Sequence, residues 1–294
     1  MIEKNGNLET TLRNKDFISN KVQRELAIKT FLIAGCGSVG GSAIEPLVRT
    51  GARKFILADP DSYDYTNLNR QSTGYKNVGE NKAKYMKEKI EWINPVCFTE
   101  VHTSGLTQEN ISEIIEKTDF VIDGVDVTTR SGWEAKYMLH QKAREKGIPV
   151  ISGYDMDATQ YVVLYDYRED NEKLFHGKIH SKDFDAHAPL DLCLLLIGEK
   201  NLPLGIIDEL KRLNSKEKGF ISQLAIAANL YGIISVSMII QILQQKVKIK
   251  KEVYLDLWEL LENYSYEETY KIKQERILMK NYIDELKEKD EYEI

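Results

Sequence analysis

The chain has 294 residues, of which 42% are apolar and 29% charged, with a net charge of −6. That length allows one large α/β domain with an appendage rather than two full-sized domains, and the apolar share excludes a disordered chain. The acidic balance supplies no basic field for nucleic acid, and three scattered cysteines (Cys36, Cys97, Cys193) exclude a disulfide framework or zinc knuckle and fit a reducing cytoplasm.

Residues 1–22 read as an N-terminal arm whose polar opening lacks the apolar stretch of an export signal. After Lys29, FLIAG is a short continuous apolar run of the kind a parallel strand buried on both faces requires. Glycines follow, then SAIEPLVRTG reads as a helix closed by Gly51, and KFILADPD reads as a second strand ending in acids. The alternation continues with a helix over Glu80–Trp92, the strand CFTEVHT, a helix over Gln108–Lys117 and the strand DFVIDG. A helix over Thr129–Lys146 and the strands PVISG and QYVVLYDY complete a core over residues 23–167. Strands alternating with helices predict a doubly wound, mostly parallel α/β sheet of the Rossmann-like type.

Residues 168–218 carry little periodicity and hold three of the five histidines, which suggests a crossover insert. Residues 219–261 contain the apolar run Phe220–Leu243 and the strand-like EVYLDLW. The run approaches bilayer-spanning length, but its Ser, Asn and Gln residues favour a core or dimer helix, with Ala225, Ala227, Ala228, Gly232 and Ser235 permitting close packing. The charged tail from Glu262 to Ile294 reads as solvated.

Within this frame, Gly35, Gly37 and Gly40 of GCGSVGG form G-x-G-x-x-G between a strand and a helix, where backbone amides can receive phosphate. Asp59, 24 positions after Gly35, is placed to accept from ribose hydroxyls, and Asp61 is the weaker candidate. These features alone fit ATP and NAD equally. Downstream lie Asn67, Arg70 and Gln71 in YTNLNRQ and Lys82 at a helix start, and the two cations among them, Arg70 and Lys82, are what a triphosphate needs and a dinucleotide does not. The strand ending DGVD offers Asp126 as a hard-oxygen ligand for Mg²⁺, while Asp123 reads better as a turn residue.

The order GCGSVGG, ADPD, NLNRQ, Lys82 and DGVD closely resembles the adenylation domain of the ThiF/MoeB/HesA family, relatives of ubiquitin-activating enzymes, over roughly residues 23–163. The resemblance implies an ATP- and Mg²⁺-dependent adenylyltransferase that activates the C-terminal carboxylate of a small protein or peptide. Asp59 would hold the ribose, Asn67, Arg70 and Lys82 the phosphates, and Asp126 the metal. It also implies a symmetric homodimer in which an N-terminal arginine reaches the partner's triphosphate, with Arg13 the choice here and Arg24 its competitor. The substrate would lie extended along the crossover and QYVVLYDY.

Two departures stand out. DGVDVTTR has Val127 where many members carry an amide, with Arg130 retained, and the paired C-x-x-C zinc motifs are missing. His176, His180, Asp183, His187, Asp191 and Cys193 can bind metals but lack a ligand spacing. Cys193 lies in apolar LCLLL and reads as packing, so no enzyme thioester is expected. The alternatives are an NAD-binding oxidoreductase and a non-catalytic scaffold; nucleic acid and membrane are not expected partners.

Overall fold

A computed structural model describes residues 9–214, 220–246, 248–262 and 265–289; the start of the expected N-terminal arm and the end of the crossover segment lie outside them. Seven strands form one sheet in the order β3-β2-β1-β4-β5-β6-β7. They are β1 (Thr30–Ala34), β2 (Lys54–Ala58), β3 (Phe98–His102), β4 (Phe120–Asp123), β5 (Val150–Met156), β6 (Thr159–Tyr165) and β7 (Glu252–Asp256). The first five run parallel, and β6 and β7 add antiparallel strands at one edge. The expected doubly wound α/β architecture is therefore present.

Strand β1 shows why the continuous apolar runs were needed. Phe31 and Ile33 enter one core layer and Leu32 and Ala34 the other. The first layer is closed by α1 (Asn20–Ile28), α2 (Ser38–Thr50), α3 (Lys82–Ile93) and α9 (Ala225–Leu243). The second is closed by α4 (Ile111–Glu116), α5 (Arg130–Glu145) and the crossover helices α6 (Asp183–Ala186), α7 (Pro189–Ile197) and α8 (Leu204–Asn214). Short α10 (Leu257–Leu261) leads to α11 (Tyr266–Lys289).

The structure decides how α9 is used and corrects two further expectations. The small residues Ala227, Ala228, Gly232 and Ser235 of α9 are buried within the chain, where Gly232 lies against α2 so closely that a Cβ would sit 2.3 Å from the Ser42 carbonyl oxygen. They serve intrachain packing, the core alternative of the expectation. Helix α9 is long and apolar enough to cross a bilayer, but about half of it is buried in the fold. The charged tail is not simply solvated: Ile283 and Leu286 of α11 are buried in the second layer. Finally, β6 is flanked by β5 and β7 along its length, so no extended substrate can pair with it.

Neighbouring β1 and β4 send their chains to opposite faces, which opens a crevice at their C-terminal ends.

Candidate nucleotide site

The glycine loop fills that crevice. Gly35 follows β1 with φ +81°, and a Cβ there would lie 2.3 Å from the Gly124 carbonyl oxygen at the end of β4. A Cβ on Gly40 would lie 2.0 Å from the Gly35 oxygen, and one on Gly124 would lie 2.4 Å from the Gly40 nitrogen. Three stretches of backbone thus interlock where no side chain fits. Gly37 differs: the nearest atom to its would-be Cβ is Gln71 Nε2 at 3.6 Å, so its bareness keeps open the space between the loop and Gln71. Gly37 is also the N-cap of α2, and no side chain caps that helix, which leaves first-turn amides facing the crevice.

Asp59 ties β2 to this loop. Its Oδ2 accepts from Cys36 N–H at 2.6 Å and its Oδ1 from Asp61 N–H at 2.8 Å. Burial pushes its carboxyl up, and Lys82 pulls it back. Lys82 is buried along its stem at the first position of α3, where Asn81 caps the helix, and its Nζ donates to the exposed Asp61 at 3.1 Å. The acid–base pair Asp61–Lys82 therefore borders the site. The Cys36 thiol is buried and pushed far up by burial and Asp59, so it stays protonated.

The NLNRQ segment is a tight turn. Asn67 Oδ1 accepts from Asp64 N–H at 3.1 Å while the Asp64 carboxylate caps the same turn, so Asn67 works as a scaffold in this structure. The turn presents Arg70, whose Nη1 donates to the Thr66 carbonyl at 2.8 Å and to Asn69 Oδ1 at 2.9 Å. Burial pulls the Arg70 pKa down and the charges of Asp155 and Asp126 push it back. Its Nε and the Oε1 of Gln71 are buried without hydrogen-bond partners, two polar groups that a ligand could satisfy.

Asp126 lies exposed in the loop between β4 and α5, where its Oδ1 accepts from Thr128 N–H at 2.8 Å. Its position beside Arg70 and its hard oxygens fit a magnesium ion bound together with phosphate. Asp123, three residues earlier, is the expected turn residue, its Oδ1 accepting from Val125 N–H at 3.2 Å, but it does more. It is fully buried and accepts from Lys136, from His140 Nε2 at 3.0 Å and from Ser152 Oγ at 2.6 Å.

Gly35, Gly37, Gly40, Asp59, Arg70, Gln71, Lys82 and Asp126 are thus brought to one crevice, with Asn67 behind them. Arg13 is not. It lies exposed in the turn Leu12–Asn14, and neighbouring Asn14 donates to the Thr50 carbonyl at the far end of α2 at 3.3 Å. At about 1.5 Å per residue the 13-residue helix puts that end about 20 Å from the glycine loop. Arg24 in α1 is equally exposed and also outside the crevice.

The sequence reading missed Asp155. It ended the fifth strand at Gly153, whereas β5 runs on to Met156 and carries Asp155 toward Arg70 and Ser38. Extending the two-residue alternation past Gly153 would have found it. Among the crossover candidates, His187 is held through its backbone: Arg130 Nη2 donates to its carbonyl at 2.8 Å and pins the segment to α5. No group of three or more metal-capable side chains occurs among the described residues. Burial pushes the Cys193 thiol up to about 12, as a packing role requires. A cavity of about 580 Å³ lies at the opposite, N-terminal ends of β1, β4 and β5, lined by Lys29, Asp119, Lys146 and Arg168. Its charges are largely paired internally, Lys29 with Asp119 at 2.9 Å and Arg168 with Asp166 at 2.6 Å, so the chemistry is placed in the glycine crevice instead.

The model of the ThiF family matches residues 10–275. A probable molybdopterin-synthase adenylyltransferase of Gracilaria tenuistipitata var. liui is 29% identical over 178 residues, 60% of this chain and 47% of that protein. The tRNA threonylcarbamoyladenosine dehydratase of Bacillus subtilis (strain 168) is 32% identical over 142 residues, 48% of this chain and 54% of that one. The chain spans about a quarter to a half of the length of the curated relatives it matches first. The E. coli tRNA N6-threonylcarbamoyladenosine dehydratase, solved in complex with ATP, shares the fold with a TM-score of 0.56 at 23% identity, over 84% of this chain and 98% of that one.

Proposed function

Because the chain belongs to the ThiF family, we propose that it is an ATP- and Mg²⁺-dependent adenylyltransferase that activates a carboxylate. The observation that carries this reading is the gathering of Arg70 and Gln71 at an uncapped helix N-terminus, with Lys82 beside the loop-anchoring Asp59 and Asp126 beside Arg70. A dinucleotide site would need the loop and Asp59 but not this ring of charge.

The reaction is in-line attack of a carboxylate oxygen on the α-phosphorus of ATP, with pyrophosphate leaving and a mixed anhydride remaining. A carboxylate is already ionised near neutral pH, so no base is needed for this step. The amides at the start of α2 and the Arg70 guanidinium hold phosphoryl oxygens and neutralise the charge that grows on the leaving group. Lys82 adds a second cation, and Asp59 anchors the ribose while fixing the loop through Cys36 N–H. Asp126 would hold Mg²⁺, whose part is to neutralise and orient the polyphosphate.

A C-terminal carboxylate of a small protein or peptide is the substrate class we favour, in keeping with the named activity of the algal relative. A dehydratase-type use of the same adenylation, as in the name of the Bacillus relative, is the second reading. We also propose that the enzyme is a homodimer.

ATP–pyrophosphate exchange with Mg²⁺ against a panel of carboxylate peptides, small carrier proteins and RNA tests the assignment. Exchange that depends on one carboxylate and is lost in Asp126→Ala is the expected result. Tight NAD binding in place of ATP binding would sink it.

A further inference from the structure

Asp155 stands one residue before the end of β5, the parallel neighbour of β4, so its carboxyl lies on the ligand-facing edge of the sheet. Its setting is fixed from several sides. With its nitrogen turned toward acceptors, the Gln160 amide of β6 donates to Asp155 Oδ1 at 2.6 Å and to the Ala227 carbonyl at 3.0 Å. The Gln160 oxygen then accepts from Tyr154 N–H at 3.0 Å. Ser38, the first residue of α2, and Arg70 act on the same carboxyl. The other oxygen, Oδ2, is buried and has no hydrogen-bond partner. Such a group beside the uncapped start of a 13-residue helix is completed by whatever that helix binds.

Resting on the ATP reading above, we propose that Asp155 is a nucleotide-positioning residue that binds as a neutral carboxylic acid and donates its Oδ2–H to a phosphoryl oxygen at the N-terminus of α2. An ionised carboxylate would repel the phosphates beside it, whereas the protonated group is a donor. A carboxylic acid kept neutral by an apolar setting is a known way to place a donor in an active site. Burial already pushes this carboxyl up to about 7, against the pull of Ser38 and Arg70. The charged and titratable groups facing it are Arg70 from the NLNRQ turn and Tyr231 from α9, and the Tyr231 hydroxyl donates to the Ile151 carbonyl at 2.7 Å. Burial pushes Tyr231 far up, and Arg70 remains a cation, so Asp155 is the member of the group that titrates near neutrality.

The sign follows from linkage. Nearby phosphates raise the Asp155 pKa, so binding takes a proton from solvent, and affinity falls as pH rises between the free and bound values by at most about tenfold per pH unit. Calorimetric titration of ATP into the full chain at about pH 8, in two buffers of different ionisation enthalpy and with and without Mg²⁺, measures this uptake. Wild type is expected to take up about one half to one proton per ATP. Asp155→Asn, a permanent donor of the same shape, is expected to keep or improve affinity, lose that uptake and bind with little pH dependence. Asp155→Ala is expected to lose about tenfold or more in affinity. Unchanged uptake in Asp155→Asn would overturn the inference. So would a loss of affinity in Asp155→Asn as large as in Asp155→Ala, because the ionised carboxylate would then be the working form. Failure of wild type to bind ATP would instead overturn the ATP reading and this inference with it.

Discussion

Gly37 and Gly40 stand three residues apart in one loop, yet the fold asks different things of them. A methyl on Gly40 would drive into the Gly35 carbonyl at 2.0 Å, which no side-chain rotation relieves. A methyl on Gly37 meets nothing closer than 3.6 Å and instead fills the gap below Gln71. Gly40→Ala is therefore expected to destabilise the protein by about 2–4 kcal/mol or prevent folding. Gly37→Ala should unfold within about 0.5 kcal/mol of wild type and lose ATP affinity. Urea unfolding paired with ATP titration separates the two, and a fully folded Gly40→Ala would refute the packing assignment. At Asp126 the expectation concerns chemistry alone. An exposed loop side chain can be changed to Asn with little effect on folding, so Asp126→Asn should bind ATP without metal as wild type does. Pyrophosphate exchange in that variant should fall about a hundredfold or more, and unaltered exchange would remove Asp126 from the metal site. The site was legible where its chemistry needs a fixed residue type at a fixed offset: glycines where backbones interlock, an acid at the end of β2, a cation after a tight turn. Asp155 was hidden because a glycine inside a strand reads as a stop, and its meaning lies in burial beside Ser38 and Arg70, which no local spacing encodes.

At the scale of elements, α5 is fastened to the sheet by a buried polar network as well as by Trp133 and Leu139. Asp123 at the end of β4 receives Lys136 and His140 from α5 and Ser152 from β5, and Tyr167 pairs with His140 Nδ1 at 2.7 Å. Burial would push Asp123 up, but Lys136 and His140 together outweigh it and hold the carboxyl low. Burial also depresses His140 to about 4 from 6.5, against the pull of Asp123, so the imidazole is neutral in the folded state. The unfolded chain then takes up the His140 proton first, and stability must fall as pH drops from about 6.5 to about 4, by on the order of 2–3 kcal/mol. Below that range protonation of Asp123 in the unfolded chain lowers stability further, in the same direction. Urea midpoints measured across this range should decline for wild type and flatten for His140→Gln; parallel curves would show that His140 does not titrate between the two states. The strands and long helices of this core were legible because each carries a full period of apolar residues. The crossover was not, because α6, α7 and α8 are short and are held by distant partners such as Arg130 on the His187 carbonyl.

For the molecule as a whole, the position of Arg13 decides what one chain can do alone. The turn that carries it is anchored to the far end of α2 through Asn14 and Gln23, whose amides reach the Thr50 carbonyl at 3.3 and 2.8 Å. With α2 rigid and about 20 Å long, Arg13 cannot reach phosphates bound at the other end of the same helix. If it serves catalysis, it does so across a two-fold interface, where each chain lends its arginine to the other. Light scattering at micromolar concentration should then give about twice the mass of one chain. Mixing makes the sharper test. Arg13→Ala and Asp126→Ala chains should each be inactive in exchange, but a randomly assorted equal mixture should recover about a quarter of the wild-type sites. Half of its dimers pair the two variants, and one of the two sites in each then combines an intact Asp126 with the partner's intact Arg13. Recovery requires both a dimer and action across it. An inactive mixture of proven heterodimers would place Arg13 outside the chemistry, and full activity of Arg13→Ala alone would mark it as a surface residue.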